Sequence, residues 1–307
     1  MNFLIVGPGA MGCLFAARLK KAGHDVTLLD HIKQRADLIN AQGVKVEGIL
    51  GEYTVQVPTM AGEIPGVPDV AVICVKANDT KQAAVDIWPL IGPKAYVLTL
   101  QNGLGNVEIL QDIFGKDRTL GGVTAEGATL LADGHVRHAG QGDTKFGAEV
   151  LVGNALTEII SAFNDAGFKT QFADNVNSLI WGKLIVNVGI NALTAITRLK
   201  NGRLPDIGGT MAVMEGAVRE AVAVADAKGI TLPYPDPLGR VTEVCRATAG
   251  NIASMLQDVL RQSVTEVAVI NGAIVLEGEA FGIATPVNHT LTCLVQAIQE
   301  TYGERLT

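Results

Sequence analysis

The glycine-rich turn near the N-terminus constrains the fold of this 307-residue chain more than any other feature. A short apolar segment, Asn2 to Val6, leads directly into Gly7-Pro8-Gly9-Ala10-Met11-Gly12, and a helix-forming run follows. A G-x-G-x-x-G motif between a strand and a helix is typical of a Rossmann domain that binds a dinucleotide. In such a motif the first glycine permits the tight turn, the second admits the pyrophosphate, and the third allows the helix to pack closely on the strand.

The helix that begins at this turn offers free backbone amides to an anion. We therefore expect the turn to bind the cofactor, and a glycine turn without a nucleotide is the alternative. The expected cofactor-binding residues here are Gly7, Gly9, Ala10, Met11 and Gly12.

Two further predicted strands end in polar residues at the same edge of the sheet. The strand at residues 69–75 is followed by Lys76, and the strand at residues 96–100 is followed closely by Asn102. Open α/β sheets bind ligands beside the carboxyl ends of their strands. We therefore expect Lys76 and Asn102 near the cofactor, Asn102 also near the substrate. A solvated strand end and a simple turn before Gly103 are the alternatives.

The second half of the chain has a different pattern. Residues 120–146 predict glycine-punctuated antiparallel strands that continue the sheet, whereas almost everything beyond residue 173 predicts helix. The fold class is therefore α/β, with a Rossmann-type domain at residues 1–173 and an all-helical domain at residues 174–307.

A polar stripe interrupts the long apolar helix predicted from Asn175 to Lys200. Lys183, Asn187 and Asn191 recur every fourth residue and therefore lie on one side of the helix. Buried polar groups need partners, water or a ligand. Either the stripe binds a ligand, or the asparagines bond a neighbouring helix while Lys183 extends to the surface.

A second polar stripe, Asn251, Ser254 and Asp258, precedes Glu266. The segment Ser263-Val264-Thr265-Glu266 fits a capping box, in which Glu266 bonds back to the helix N-terminus. In the alternative interpretation, the carboxylate of Glu266 faces Lys183 and handles the substrate.

Composition narrows the classes of partner. A formal net charge of −7 provides no basic field for nucleic acid or an anionic membrane, which favours a small-molecule substrate. The four cysteines lie far apart without metal-site spacing, so we expect reduced thiols in a cytoplasmic protein and no metal. The N-terminus does not resemble a signal peptide, and the polar stripe argues against a membrane span. The sequence does not decide between a monomer and a homodimer, because the apolar helices can be buried within one chain or between two chains.

Several motifs together resemble the ketopantoate reductase (2-dehydropantoate 2-reductase) family over nearly the whole chain. They are VKA at 75–77, QNG at 101–103, W-G-K-L-x-V-N-x-x-I-N at 181–191, A-G-N-I-A-S-M-L-Q-D at 249–258 and T-E-V-A-V-I-N-G at 265–272. The resemblance implies a C-terminal domain like that of 6-phosphogluconate dehydrogenase and a substrate in the cleft between domains. It also implies reduction of ketopantoate to pantoate with NADPH, on the way to pantothenate.

The resemblance also implies roles for individual residues. Lys183 corresponds to the general acid that protonates the developing alkoxide, and Glu266 to its acidic partner. The residues that correspond to substrate contacts are Asn102, Asn187, Asn191, Asn251 and Ser254. Asn201 also corresponds to a site asparagine, and Asp258 adjoins the site without an assigned duty.

The chain departs from the family pattern at the end of its second strand. NADP-binding members commonly carry an arginine there, whereas this chain has Asp30 followed by His31. An acidic residue at this strand end usually accepts hydrogen bonds from the adenosine ribose and disfavours a 2′-phosphate. We therefore expect Asp30 and His31 to bind the cofactor, and NADH to work beside NADPH.

Other functions fit parts of the same sequence. A reductase of another branched 2-keto acid would use the same residues. A β-hydroxyacid dehydrogenase shares the Lys–Asn spacing but lacks the region of Glu266. A non-catalytic dinucleotide sensor would bind the cofactor without turnover.

Overall fold

The computed structural model describes residues 1–150 and 153–304, and these residues fall into two compact units. The first unit comprises Met1–Gln101 and Gly105–Val176, and the second comprises Asn102–Leu104 and the chain from Asn177 onward. The sequence prediction placed all of residues 1–173 in one domain, whereas the structure groups Asn102–Leu104 with the helical unit. Three residues near the end of a central strand thus belong to the packing of the second unit.

All strands of the described residues lie in the first unit. In chain order they are β1 (Asn2–Val6), β2 (Asp25–Leu29), β3 (Val44–Gly48), β4 (Tyr53–Val55), β5 (Thr59–Met60), β6 (Val70–Ile73), β7 (Tyr96–Thr99), β8 (Thr119–Thr124), β9 (Gly127–Ala132), β10 (His135–Gly140), β11 (Thr144–Gly147) and β12 (Thr170–Phe172).

The helices occur in both units. In chain order they are α1 (Ala10–Lys21), α2 (Lys33–Gln42), α3 (Thr80–Ile87), α4 (Asn106–Phe114), α5 (Asn154–Asp165), α6 (Val176–Thr197), α7 (Gly208–Ala227), α8 (Pro237–Ala247), α9 (Ser254–Leu260), α10 (Asn271–Phe281) and α11 (Pro286–Glu300). The predicted α/β class, with a Rossmann-type sheet followed by a helical half, is confirmed.

Within the described residues, the larger sheet has eight strands in the order β12-β11-β8-β7-β6-β1-β2-β5. β1 pairs in parallel with β2 on one side and with β6 on the other. Strand order therefore reverses at β1, and the carboxyl ends of β1 and β6 border the switch point where open α/β sheets bind ligands. All four residues of β6 are buried, as expected for a central strand covered on both faces.

The prediction that residues 120–146 continue this sheet is only partly right. β8 and β11 join it and pair antiparallel, but β9 and β10 belong to a separate sheet with the order β4-β3-β10-β9. This small sheet packs against α1. Because α1 is buried on nearly every side from Gly12 to Leu19, it needs apolar cover beyond the large sheet, and the small sheet supplies it.

The second unit is organised around α6, where the sequence predicted a long apolar helix. Its buried side chains include Trp181, Leu184, Ile185, Val188 and Leu193. By length and composition α6 is the one described helix that could cross a membrane, but 67% of its most apolar window is buried inside the fold. The core helix of a soluble protein has the same properties.

Candidate active site

Close packing constrains two of the three motif glycines. Gly7 has a φ of +101°, and a Cβ there would lie 2.8 Å from Cγ1 of Val75. A Cβ on Gly12 would lie 2.0 Å from the carbonyl oxygen of Gly7. Side chains do not tolerate contacts this short, so the turn and the packing of α1 on β1 require glycine at both positions.

Gly9 differs, because the fold alone does not require a glycine there. Its backbone has ordinary φ and ψ angles of −73° and −169°, and an added Cβ would meet nothing nearer than the carbonyl oxygen of Cys74 at 3.9 Å. Among the described residues, no side chain caps α1 at Gly9 and no acidic residue lies in its first turn. The turn therefore leaves open space beside uncapped helix amides, which fits the pyrophosphate of a dinucleotide.

Hydrogen bonds fix the loops that follow β6 and β7. Nε2 of Gln101 donates to the carbonyl oxygen of Val75 at 2.8 Å and to Oγ1 of Thr80 at 2.9 Å. Oγ1 of Thr80 in turn donates to Oδ1 of Asn106 at 2.8 Å. Lys76 follows Val75 directly and is exposed. This network holds the backbone before Lys76 at the switch point of the sheet, and no feature of the sequence had indicated a positioning role for Gln101.

The structure gives Asp30 a partner that the sequence analysis had not assigned. Nε and Nη2 of Arg35, on α2, donate to the two carboxylate oxygens, and the Nη2 to Oδ1 distance is 2.6 Å. The amide of Ile32 also donates to Oδ1, at 3.1 Å. Burial favours a higher pKa for Asp30, but the hydrogen bonds from Arg35 and Ile32 outweigh burial and lower this pKa. His31, also expected in the site, has a side chain that is 81% exposed.

Lys183, Asn187 and Asn191 lie along one side of α6, as their spacing predicts. Asn191 is buried, whereas Lys183 and Asn187 are partly exposed. The stripe is therefore polar and partly accessible on a helix that is otherwise mostly buried.

The backbone beside Lys183 is fixed by the segment that joins α7 and α8. The hydroxyl of Tyr234 donates to the carbonyl oxygen of Gly182 at 2.6 Å. A Cβ on Gly182 would lie 2.6 Å from Cγ of Pro233. This close approach requires glycine directly before Lys183, and it holds the turn of helix that carries the lysine.

Two opposing effects set the pKa of Lys183. Burial lowers it to about 8, while the nearby carboxylate of Glu266 acts in the other direction by favouring the charged form. An amine with this pKa is mostly protonated at neutral pH and still gives up its proton readily, which suits a general acid.

Glu266 lies in a different backbone context from the one predicted. The capping box implies an α-helix that begins directly after Ser263, whereas the structure has the 3-10 helix Val267–Val269 and then α10. The capping interpretation is therefore wrong. Instead, Nδ2 of Asn102 donates to Oε2 of Glu266 at 3.3 Å.

Packing of residues 102–104 explains why the helix is interrupted. The amide of Leu104 donates to the carbonyl oxygen of Val269 at 3.0 Å. A Cβ on Gly103 would lie 2.6 Å from that same oxygen. The carbonyl oxygen of Val269, which a regular helix would use within its own backbone, thus accepts from the incoming segment. This packing places Asn102 beside Glu266 in the second unit, and the carboxylate of Glu266 acts through space on Lys183 of the same unit.

The second polar stripe is built around the start of α9. Asn251 and Ser254 are exposed, whereas Asp258 is buried. The amide of Asn201 donates to the carbonyl oxygen of Asn251 at 3.2 Å, and its Nδ2 donates to Oγ1 of Thr248 at 2.9 Å. Oδ1 of Asn201 is buried and has no hydrogen-bond partner among the described residues. Such an acceptor costs about 1 to 3 kcal/mol when unpaired, so Asn201 joins this cluster as a ligand-binding candidate.

The cysteines and other metal-ligating side chains form no separate centre in the described part of the chain. Cys13, Cys74, Cys245 and Cys293 are free thiols. Residues 1–150 and 153–304 contain no group of three or more His, Cys, Asp and Glu that could hold a metal ion.

Both halves of the chain match models of one protein family. Residues 3–149 match the family described as "Ketopantoate reductase PanE/ApbA", and residues 175–299 match "Ketopantoate reductase PanE/ApbA C terminal". Together the two matches cover most of the sequence.

Individual proteins and solved structures are similar to this chain over nearly its whole length. A 2-dehydropantoate 2-reductase of Halobacterium salinarum is 36% identical over 97% of this chain and 99% of its own length. The crystal structure of a PanE/ApbA family ketopantoate reductase from Ralstonia eutropha JMP134 has a TM-score of 0.90 at 32% identity, covering 99% and 100% of the two chains. The ternary structure of D-mandelate dehydrogenase with NADH and anilino(oxo)acetate has a TM-score of 0.91 at 27% identity, with the same coverage.

Proposed function

Because the chain belongs to the ketopantoate reductase family, we propose that it reduces 2-dehydropantoate to pantoate with a nicotinamide dinucleotide, a step of pantothenate synthesis. The observation that carries the proposal is the hydrogen bond from Asn102 to Glu266, together with the electrostatic effect of that carboxylate on Lys183. A proton donor with a moderated pKa beside a carboxylate is what reduction of a ketone needs.

Lys183 is the general acid of this proposal. When bound, the reduced nicotinamide supplies hydride to the carbonyl carbon of the substrate. Negative charge then develops on the ketone oxygen, and the ammonium of Lys183 stabilises this charge and donates the proton. Burial beside Glu266 supports the assignment, because an ammonium in a low-dielectric setting interacts more strongly with a developing anion than it does in water.

Glu266 and Asn102 act on the same reaction in our proposal. The carboxylate of Glu266 favours the protonated form of Lys183, and it can accept a hydrogen bond from a substrate hydroxyl. The amide of Asn102 bonds Oε2 of Glu266, so it orients the carboxylate and stands next to the reacting groups.

The remaining polar residues of the second unit are proposed as substrate contacts. Carboxamides and hydroxyls both donate and accept hydrogen bonds, which suits a small acid that carries a hydroxyl and a carboxylate. These residues are Asn187, Asn191, Asn251 and Ser254, and the unpaired Oδ1 of Asn201 supports adding Asn201.

For the cofactor we propose NADPH, with NADH also accepted. The uncapped amides of Ala10 and Met11 and the open space at Gly9 support a pyrophosphate at the start of α1. Gly7 and Gly12 shape this turn, while Asp30, His31, Lys76 and Asn102 complete the proposed cofactor set.

A second candidate is reduction of another 2-keto acid by the same residues. The likeness to a D-mandelate dehydrogenase structure favours testing aromatic as well as branched keto acids, because one hydroxyl or methyl contact redirects specificity. The test follows oxidation of NADPH and of NADH spectrophotometrically with 2-dehydropantoate and matched branched and aromatic 2-keto acids. The highest kcat/KM on 2-dehydropantoate supports the proposal. A higher value on another acid supports the second candidate, and binding without turnover overturns both.

We further propose that this protein is cytoplasmic, and fractionation of cells tests this location. A homodimer stays a prediction, and sedimentation velocity at several concentrations tests it.

A further inference from the structure

The ion pair at the end of β2 presents its cation, not its carboxylate, to the surroundings. The side chain of Asp30 is 0% exposed, whereas that of Arg35 is 26% exposed. The end of β2 adjoins the glycine turn, because the amide of Gly7 donates to the carbonyl oxygen of Leu29 at 2.9 Å. A dinucleotide whose pyrophosphate lies at the start of α1 therefore has its adenosine ribose beside this pair.

The pair uses only part of the guanidinium. Nε and Nη2 of Arg35 bond the carboxylate, and Nη1 lies outside the pair. Oδ1 of Asp30, in contrast, already accepts from both Arg35 and Ile32. An arginine has five N–H donors in a planar fork, so one edge can hold a carboxylate while another edge meets a second anion.

Building on the proposed function, we propose that Arg35 determines cofactor specificity by binding the 2′-phosphate of NADPH, and that Asp30 is a positioning residue that holds its guanidinium. A phosphomonoester carries negative charge and forms ion-pair hydrogen bonds with arginine, whereas a free 2′-hydroxyl is a neutral acceptor and gains a weaker hydrogen bond. Asp30 by itself predicts repulsion of a 2′-phosphate. Paired with Arg35, it instead holds a cation that attracts this phosphate.

Direct binding measurements test the proposal without turnover. Isothermal titration with NADP⁺ and with NAD⁺ at one ionic strength gives both dissociation constants for each variant. Arg35→Ala is expected to weaken NADP⁺ binding by about tenfold to a hundredfold, the effect of a lost charged hydrogen bond, with little change for NAD⁺. Lys33→Ala is the matched control, because this exposed lysine of the same helix pairs with Asp37 at 2.9 Å. Its ratio of dissociation constants should stay that of the wild type.

Arg35→Ala removes the charged partner of the buried Asp30 carboxylate and can therefore prevent folding. A second variant is designed for that outcome. The double substitution Asp30→Asn with Arg35→Gln removes both charges and keeps a polar pair. It should lose the preference for NADP⁺ to the same extent. Asp30→Asn alone keeps the cation and should retain or increase the preference.

Equal losses for the two dinucleotides in the double variant would overturn the proposal, because Arg35 would then serve only the fold. A preference for NADP⁺ that survives the double substitution would overturn it as well. The titrations contain no keto acid. Failure to reduce any keto acid would therefore count against the proposed function alone, and the binding ratios would still decide the role of Arg35.

Discussion

Asp30 in the first unit and Lys183 in the second are both ionisable groups desolvated beside an oppositely charged side chain, yet their surroundings act on them in opposite ways. Burial disfavours the charged form of each. For Asp30 the hydrogen bonds from Arg35 outweigh burial, and the lowered pKa means a more firmly charged carboxylate. For Lys183 burial outweighs Glu266, and a pKa of about 8 means a more readily released proton.

The difference lies in how each pair is made. Arg35 contacts both oxygens of Asp30, and a bidentate arginine–carboxylate contact is stronger and more specific in geometry than a single hydrogen bond. A group held this way suits recognition, because its charge does not change. A group such as Lys183, whose charge is moderated by burial, suits proton transfer. Four experiments break or sharpen this contrast.

The largest effect is expected from Lys183→Ala. Removing the proton donor should lower turnover by about 10² to 10⁴-fold, the usual contribution of a general acid. Affinity for the dinucleotide should stay close to that of the wild type. Single-turnover and steady-state kinetics measure the loss. Lys228→Ala is the control, because Lys228 forms a pair with Glu277 at 2.6 Å outside the site. Unchanged turnover in Lys183→Ala would remove Lys183 from the mechanism.

The second experiment concerns pH. Because Lys183 donates the proton and its pKa is about 8, it is protonated below this pH and loses its proton above it. The kcat/KM for the keto acid should therefore fall as pH rises through about 8, by about tenfold per unit once the lysine is deprotonated.

Lys183→Arg provides the control for this profile, since arginine stays protonated throughout the range. Its residual activity should show no decline up to about pH 10. A wild-type profile that stays flat over the same range would contradict a titrating lysine acid.

The third experiment replaces Glu266 by glutamine. Glu266→Gln keeps the shape of the side chain and removes the charge that favours protonated Lys183, so the break in the pH profile should move below its wild-type position. Activity at neutral pH should fall by about tenfold, the lower range for a lost charged hydrogen bond. Thermal stability should stay unchanged, because no capping box is formed at Ser263. A lowered Tm with full activity per folded molecule would instead assign Glu266 to the fold.

The fourth experiment has the smallest expected effect and distinguishes glycines needed for ligand binding from glycines needed for packing in the turn. Gly9→Ala should keep the wild-type Tm, because the atom nearest to the added Cβ is the carbonyl oxygen of Cys74 at 3.9 Å. The same Cβ occupies space that the pyrophosphate needs, so dinucleotide binding should weaken severalfold. Gly12→Ala should instead destabilise the fold by about 1 to 3 kcal/mol through overpacking. Calorimetry and cofactor titration give the two readouts. Tight binding by Gly9→Ala would place the pyrophosphate elsewhere.

Local patterns were enough to predict the main elements of both units. The strand–turn–helix at Gly7 to Gly12 follows from backbone sterics and short-range packing, and the stripe of Lys183, Asn187 and Asn191 follows from helical periodicity. Each of these depends on residues close together in sequence, so the amino-acid order determines them directly.

Tertiary contacts decided the rest. A capping box was predicted at Ser263 to Glu266, but Gly103 and Leu104, distant in sequence, take the carbonyl oxygen of Val269 and interrupt the helix. Likewise, Asp30 alone predicts an acidic ribose contact, and only the fold of α2 brings Arg35 onto its carboxylate. The pKa of Lys183 depends on burial within the fold and on the carboxylate of Glu266, which is distant in sequence, so no local pattern encodes it. Sequence determines which groups are present and their local spacing, whereas partners and burial arise only when distant segments pack together.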